Sequence, residues 1–146
     1  MNALAFYRVA RWAYVHHIPV LPRIMHWLVF LTYNCVIPWT CDIGPGTRLG
    51  YGGMGVVIHS RARIGANCAI AQQVTVGGRS GSPGVPVIGD NVVIGAGAKV
   101  LGNITIGNGS VIGANAVVIH DVPPRCVAAG VPARIIKRDV SSADYA

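Results

Sequence analysis

Glutamate is absent from this sequence, and all five acidic residues are aspartates. Charged residues make up 12% of the chain, about half the usual share of roughly 25%. Hydrophobic residues make up 52%, and glycine is abundant at 19 of 146 residues. A chain with so little charge and so much valine and isoleucine is not disordered. Because good helix formers are scarce relative to β-branched residues and glycine, the composition predicts a β-rich domain with many tight turns.

Several common motifs are also missing. The four cysteines, at positions 35, 41, 68 and 126, contain no C-x-x-C pair, which excludes a zinc ribbon or a thioredoxin motif. We expect them to be free buried thiols in a reducing cytoplasm. No Gly-Lys-Ser/Thr follows the glycine-rich loop 78–84, so a phosphate-binding loop is not predicted. The repeat region described below holds only two histidines, too few for a three-histidine metal site, and no metal is expected.

The sequence also lacks a long uninterrupted apolar run. The longest, Ile24–Trp39, has 16 residues and contains polar residues and a proline. It is too short to span a bilayer comfortably. Prolines 19 and 22 interrupt the apolar N-terminus, and no small-x-small cleavage site follows it. Neither a signal peptide nor a transmembrane helix is therefore predicted.

The net charge of +7 indicates an anionic partner. Arginine and lysine are scattered, and the aromatic residues concentrate near the N-terminus, which argues against nucleic acid. The anionic partner is then expected to be a phosphate-bearing cofactor or a membrane surface.

Residues 1–36 predict a short helical segment. Asn2 can cap a first helix that runs to about His17, and a second helix is expected over 23–36. The shared apolar face of the first helix would hold Phe6, Val9, Ala10 and Ala13. Two interpretations stay open. The helices cover one end of the β-rich body, or their arginines and tryptophans place them at the inner face of a membrane.

From residue 37 to about 138 the sequence repeats with a period of six. The repeated position holds valine or isoleucine ten times, although these types make up only 36 of the 146 residues. The ten positions are Ile58, Ile64, Ile70, Val76, Ile88, Ile94, Val100, Ile106, Ile112 and Val118. This period suits a flat-sided parallel β-coil with one six-residue unit per side. We predict about four to five coils, followed by a C-terminal tail at 139–146.

Two further positions of the unit support this interpretation. Glycine often follows the aliphatic residue, where it would serve a corner, and a small residue often stands at the fifth position, where the walls converge. Many outward positions are also apolar, which predicts packing in an oligomer.

Three strings resemble hexapeptide-repeat acyltransferases, and more specifically their serine acetyltransferase branch. They are Gln72–Gly78, Ile94–Ile104 and Ala129–Arg134. The resemblance implies a left-handed parallel β-helix, mainly β in class, with a short N-terminal helical segment. It also implies a homotrimer, acetyl-CoA as the acetyl donor, and sites between neighbouring subunits.

The sequence departs from that branch where the branch binds serine. The Asp-His pair expected before Gly55-Val56-Val57 is replaced by Gly52-Gly53-Met54, and the Arg-His-Pro of the external loop by Gly84-Val85-Pro86. The elements Phe6-Tyr7-Arg8 and Tyr51-Gly52-Gly53 look like those of polysaccharide-cluster enzymes. We therefore expect O-acetylation of a sugar or glycan precursor. The alternatives are serine O-acetylation for cysteine biosynthesis and a non-catalytic β-helix scaffold.

Acetyl transfer to a hydroxyl needs a base, and His59 is the candidate. It occupies a corner position where most other units have glycine, and an unperturbed histidine titrates near working pH. Asp42 is the candidate to orient it, and Gln72 lies in the next coil, within expected reach of the acceptor. Transfer is expected to be direct, since Cys68 occupies an inward position of its unit.

The predicted cofactor groove uses small residues. Gly77, Gly78, Ala96 and Ala114 would let a pantetheine arm lie close to the main chain. Arg134 and Lys137 fall where the resemblance places the phosphates of coenzyme A, and charge-assisted bonds suit them.

Overall fold

The computed structural model describes residues 1–146 as two helices followed by short strands. Helix α1 spans Ala3–Val15 and helix α2 spans Leu21–Tyr33. The strands are β1 (Asp42–Ile43), β2 (Arg48–Leu49), β3 (Val57–Ile58), β4 (Arg63–Ile64), β5 (Ala69–Ile70), β6 (Thr75–Gly77), β7 (Val87–Ile88), β8 (Val93–Ile94), β9 (Lys99–Leu101), β10 (Thr105–Ile106), β11 (Val111–Ile112), β12 (Val117–Val118), β13 (Val127–Gly130) and β14 (Ala133–Lys137).

The strands form the three sides of a parallel β-helix. Sheet I contains β1, β4, β7 and β10, and sheet III contains β3, β6, β9 and β12. Sheet II contains β2, β5, β8, β11 and β13, and the antiparallel strand β14 completes it. Each coil contributes one strand to each sheet, so residues 42–118 make four coils. The predicted parallel β-helix with an N-terminal helical segment is confirmed.

The repeated aliphatic side chains fill the interior as predicted. All ten positions named above are at most 3% exposed, and the small fifth-position residues are buried with them. Burying each aliphatic side chain contributes about 1.5–3 kcal/mol relative to leaving it in water. Successive coils approach so closely at the corners that only glycine fits at some positions. A Cβ on Gly95 would lie 2.6 Å from the Ala114 nitrogen of the next coil.

Helix α1 packs against the first coil and covers that end of the hydrophobic core. Its residues Ala3, Leu4 and Tyr7 join the same hydrophobic core as the coils. The predicted cap is present, since Asn2 Oδ1 accepts a hydrogen bond from the Leu4 N–H at 3.1 Å. Val9 does not lie on the buried face as expected and is 44% exposed, because the positions facing the core are 3, 4, 7, 10 and 13.

Helix α2 begins and ends earlier than expected. It starts at Leu21 rather than Arg23 because Pro22 is tolerated in the first turn, where its missing N–H is not needed. It ends at Tyr33 because Asn34 adopts a left-handed conformation with φ 49°. Val36 then bridges to Val57 of sheet III, which joins the helices to the β-helix. Neither helix has the length and apolar character needed to cross a membrane.

Candidate functional site

His59, Gly77 and Gly78 lie on one edge of the β-helix, where the chain passes from sheet III to sheet I. We call it edge III/I. His59 follows β3 in the first coil, and the two glycines come at the end of β6 in the second. In the third coil, the Gly102 N–H donates to the Gly77 oxygen at 3.0 Å. The structure therefore places the predicted base and part of the predicted cofactor groove along a single line.

The loop at residues 78–86 leaves the β-helix at the same edge and is held against it. The Asn103 N–H donates to Ser82 Oγ at 3.1 Å, which fixes the loop to the third coil. Arg61 Nη2 donates to the Pro83 oxygen at 3.2 Å, which fixes it to the first. The loop is thus anchored beside edge III/I to the coils on either side of it.

The His59 ring has a defined orientation. Its Nδ1 accepts a hydrogen bond from the Arg61 N–H at 3.1 Å, in the manner of an Asx turn. A nitrogen that accepts this bond carries no proton, so the neutral ring holds its proton on Nε2. In this conformation the ring presents a donor to a ligand. To accept a proton, His59 has to give up its bond to the main chain.

A polar cavity of about 470 Å³ opens beside edge III/I. We call it the arginine cavity, and it is lined by Arg11, Thr40, Asp42, Ser60, Arg61, Ala62 and Arg63. Ser60 and Arg61 directly follow His59 in the chain. Three arginines and one aspartate give the lining a net charge of +2. Such a lining attracts a small anion or a zwitterion.

The strands explain how these charges come together. Asp42 in β1 and Arg63 in β4 are register partners, and both point outward from sheet I. Arg11 reaches the same surface from α1 and donates to the main-chain oxygens of Trp39 and Thr40 at 3.2 and 3.4 Å. Because these acceptors are neutral, the positive charge of Arg11 is not cancelled by them.

Gln72 lies on a different edge, where the chain passes from sheet II to sheet III. On this edge II/III, Gln72, Ala96 and Ala114 form a column of three consecutive coils. The Gly97 N–H donates to the Gln72 oxygen at 3.0 Å, and the Asn115 N–H donates to the Ala96 oxygen at 2.8 Å. Within one chain, Gln72 is therefore not brought beside His59, and its catalytic role stays a prediction.

The predicted cofactor residues are split in the same way. Gly77 and Gly78 lie on edge III/I, whereas Ala96 and Ala114 lie on edge II/III. The two edges border opposite sides of sheet III. Arg134 and Lys137 are exposed on β14, at the end of the β-helix opposite the helices. Within one chain, these residues therefore do not line a single groove.

The cysteines are unsuited to carry an acyl group. All four are buried. Burial raises the pKa of Cys35 to about 11 and that of Cys41 to about 12, and it also raises the pKa of Cys68. A thiol that stays protonated at neutral pH is a poor nucleophile.

Sequence reasoning did not single out the arginine cavity. Arg61 and Arg63 occupy outward positions of one six-residue unit, and Arg11 comes from a helix far away in the sequence. The signal was the presence of two outward arginines within four residues after His59, one coil beyond Asp42. The contribution of Arg11 depends on how α1 packs and has no local signal.

Comparison with known proteins places this geometry in a wider group. The family model for the bacterial transferase hexapeptide (six repeats) matches residues 86–120. The serine acetyltransferase of Synechococcus elongatus is 46% identical over 144 residues, covering 94% of this chain and 57% of that protein. The chain is thus similar to serine acetyltransferases over nearly its whole length. It spans about half the length of the curated relatives it matches.

Solved structures agree with this similarity. The Brucella abortus serine acetyltransferase in complex with coenzyme A superposes with a TM-score of 0.88 at 35% identity, covering 95% of this chain and 56% of the Brucella chain. The soybean serine acetyltransferase complexed with serine gives 0.84 at 40% identity, covering 92% and 56%. The fold is thus the hexapeptide-repeat left-handed β-helix of acyltransferases.

The expectation of a sugar or glycan acceptor is wrong. The relatives at 40–46% identity are serine acetyltransferases, and no support emerges for the resemblance to polysaccharide-cluster enzymes. The expectation gave too much weight to two missing local motifs. Side chains that bind a small acceptor need not come from one particular loop. The present chain has arginines on sheet I beside edge III/I.

Proposed function

We propose that this protein transfers the acetyl group of acetyl-CoA to the side-chain hydroxyl of serine. The observation that carries the proposal is the 46% identity to a serine acetyltransferase over 94% of the chain. In the reaction, the serine oxygen attacks the thioester carbon and the carbon–sulfur bond breaks. The hydroxyl proton passes to a base, and coenzyme A leaves as the thiol. The buried, protonated cysteines favour this direct transfer over an acyl-enzyme.

The arginine cavity supports an amino acid as acceptor. Serine carries a carboxylate and an ammonium group next to its hydroxyl. Arg61 and Arg63 suit the carboxylate because guanidinium groups form charge-assisted bonds with it, and Asp42 suits the ammonium group. A neutral sugar offers neither charge to this lining. These arginines would replace the arginine of the family's external loop.

The donor side of the proposal uses the main chain. Acetyl-CoA would lie along edge III/I, with its pantetheine arm against Gly77 and Gly78, and with Ala96 and Ala114 contributed from a neighbouring copy. The space beside Gly78 is open to a ligand, because a Cβ built on this residue would have no neighbouring atom within 4 Å. Arg134 and Lys137 would bind the phosphates. A homotrimer provides such paired edges.

The first test is thiol release from acetyl-CoA by the purified protein. We expect turnover with L-serine and none with L-alanine, which lacks the hydroxyl. The methyl ester of L-serine keeps the hydroxyl but not the carboxylate, and it should be a much poorer acceptor. Turnover with a sugar panel and not with serine would contradict the proposal. So would acetyl-CoA binding without turnover on any acceptor, the behaviour of a scaffold.

Two substitutions of His59 separate catalysis from turn formation. Asparagine at position 59 retains an acceptor where Nδ1 now receives the Arg61 N–H, whereas alanine does not. If His59 is the base, both His59→Asn and His59→Ala should lower kcat by about 10²–10⁴-fold. If the ring only holds the turn, His59→Asn should keep near-normal activity. The measurement is kcat at saturating serine, with thermal melting to confirm that both variants fold.

Substitution of an arginine in the cavity tests acceptor binding. We expect Arg63→Gln to raise KM for serine by about 10- to 100-fold, the effect of losing one charge-assisted bond, and to leave KM for acetyl-CoA unchanged. Arg48→Gln is the matched control, because Arg48 is also an exposed arginine on a strand but lies on sheet II. Equal effects of the two substitutions would exclude a specific role for the cavity.

A further inference from the structure

The outer surface of the helical pair is unusually apolar. On α2, a stripe at helical spacing is formed by Ile24, Trp27, Leu28 and Leu31, with exposed fractions of 48%, 61%, 37% and 73%. On α1, Trp12 and Val15 are more than half exposed. We call these six residues the outer helical face. Exposed apolar residues at helical spacing mark an interaction surface.

This face is not needed to build the fold. The opposite sides of the helices pack against the core, where Leu4 and Tyr7 of α1 and Val29 of α2 are at most 5% exposed. The exposed rings contact their helical neighbours, with ring centroids 4.6 Å apart for Trp12 and His16 and 6.0 Å apart for Trp27 and Phe30. The outer face therefore has no partner within the chain.

The charged side chains carried by the two helices have one sign. Residues 1–41 contain no acidic residue and hold Arg8, Arg11 and Arg23. Arg8 and Arg11 donate to main-chain oxygens of residues 39–44 on the β-helix side of α1, where Asp42 lies close to both. Arg23 is exposed in the first turn of α2. Exposed tryptophan and aliphatic residues on helices whose only charged side chains are arginines match the interface of an anionic bilayer.

We propose that the outer helical face is a peripheral membrane-binding surface for anionic lipid. Both helices lie in the interface with Trp12, Trp27 and Leu31 inserted among the lipid headgroups, and neither crosses the bilayer. The arginines remain at headgroup level. The β-helix, which continues away from α1, projects from the membrane with edge III/I open to solvent.

The test is co-sedimentation with vesicles. We expect the full chain to bind mixed phosphatidylglycerol–phosphatidylcholine vesicles and to bind pure phosphatidylcholine much more weakly. The double variant Trp27→Glu/Leu31→Glu should lower the partition coefficient by at least about tenfold, since two inserted apolar side chains are lost. Tryptophan fluorescence of the wild type should shift to the blue on binding, because Trp12 and Trp27 leave water.

A matched control is provided by β14 and the turn before it. Val131→Glu/Ile136→Glu changes two residues with exposed fractions of 72% and 63%, close to those of Leu31 and Trp27. This variant should bind vesicles like the wild type. Trp12→Glu gives an independent test on α1, and it should weaken binding even if the double variant on α2 fails to fold.

Three results would overturn the proposal. The wild type does not bind anionic vesicles, or the β14 control loses binding as much as the helical variant. In the third, sedimentation velocity shows that the wild type forms a larger assembly that Trp27→Glu/Leu31→Glu dissociates. The face would then be covered by a second copy of the chain.

Discussion

At the scale of single residues, the chemistry of this chain depends on where side chains are held. His59 is fixed by its bond to the Arg61 N–H, and burial raises the pKa of Cys35, Cys41 and Cys68. Tyr7 is held in the core, where its hydroxyl donates to the Cys41 oxygen at 2.8 Å. The pKa of Tyr7 is raised to about 12, mainly by burial and in part by the neighbouring Cys41, while Arg11 opposes the shift.

These buried groups predict loss of stability in alkali. In the unfolded chain the thiols and Tyr7 ionise near their ordinary pKa values of 9.0 and 10.0, whereas in the folded chain Cys35 ionises near 11 and Cys41 and Tyr7 near 12. Between these values the unfolded chain holds fewer protons, so its stability relative to the fold increases with pH. The stability that these groups contribute should be fully present below about pH 8 and be lost from about pH 9 to about pH 12.

Urea denaturation across this pH range measures the effect. Tyr7→Phe keeps the ring in the core and removes one of the groups, so its stability should fall less steeply above about pH 10. A wild-type stability that stays level through this range would contradict the assignment of these groups to the core.

At the scale of the element, a strand here is only two to five residues long, and its stability comes from the side chain that points inward. In β7, Val87 is 43% exposed and its neighbour Ile88 is 2% exposed. Both belong to the same strand and pair with the same neighbouring strands. The pair therefore isolates the effect of burial from that of strand formation.

We expect Ile88→Ala to lower the free energy of unfolding by about 2–5 kcal/mol, the usual result of deleting a buried isoleucine. Val87→Ala should lower it by less than about 1 kcal/mol, since an exposed position leaves no cavity. Chemical denaturation of both variants decides the matter. Similar losses for the two would mean that sheet I is buried in an assembly, where Val87 is covered.

At the scale of the whole molecule, the positions of the cofactor residues on the edges of the β-helix bear on the predicted trimer. The predicted cofactor residues occupy edges III/I and II/III, on opposite sides of sheet III, and one chain cannot bring them together. We expect sedimentation equilibrium to give about three times the chain mass of 15.3 kDa. A monomer with full activity would contradict both the trimer and the split groove.

Much of the fold was readable in the sequence. The six-residue period identified the ten interior positions, and all of them are buried. This worked because each side of a coil repeats the same contacts with its neighbours above and below, so local pattern and global structure coincide. The helix ends were predicted less well, since Pro22 and Asn34 act through main-chain conformation rather than through an apolar pattern.

The site was only partly determined by the sequence. It identified His59 as a break in the glycine pattern, and the structure places that residue beside Gly77 and Gly78. It did not determine the ring orientation, which depends on the Arg61 N–H, nor the separation of Gln72 from His59, which depends on which edge each corner occupies. The arginine cavity depends on the packing of α1 against the first coil, which places Arg11 beside Asp42 and Arg63. Periodicity determines which side chains point inward, but only the tertiary structure decides which outward side chains meet.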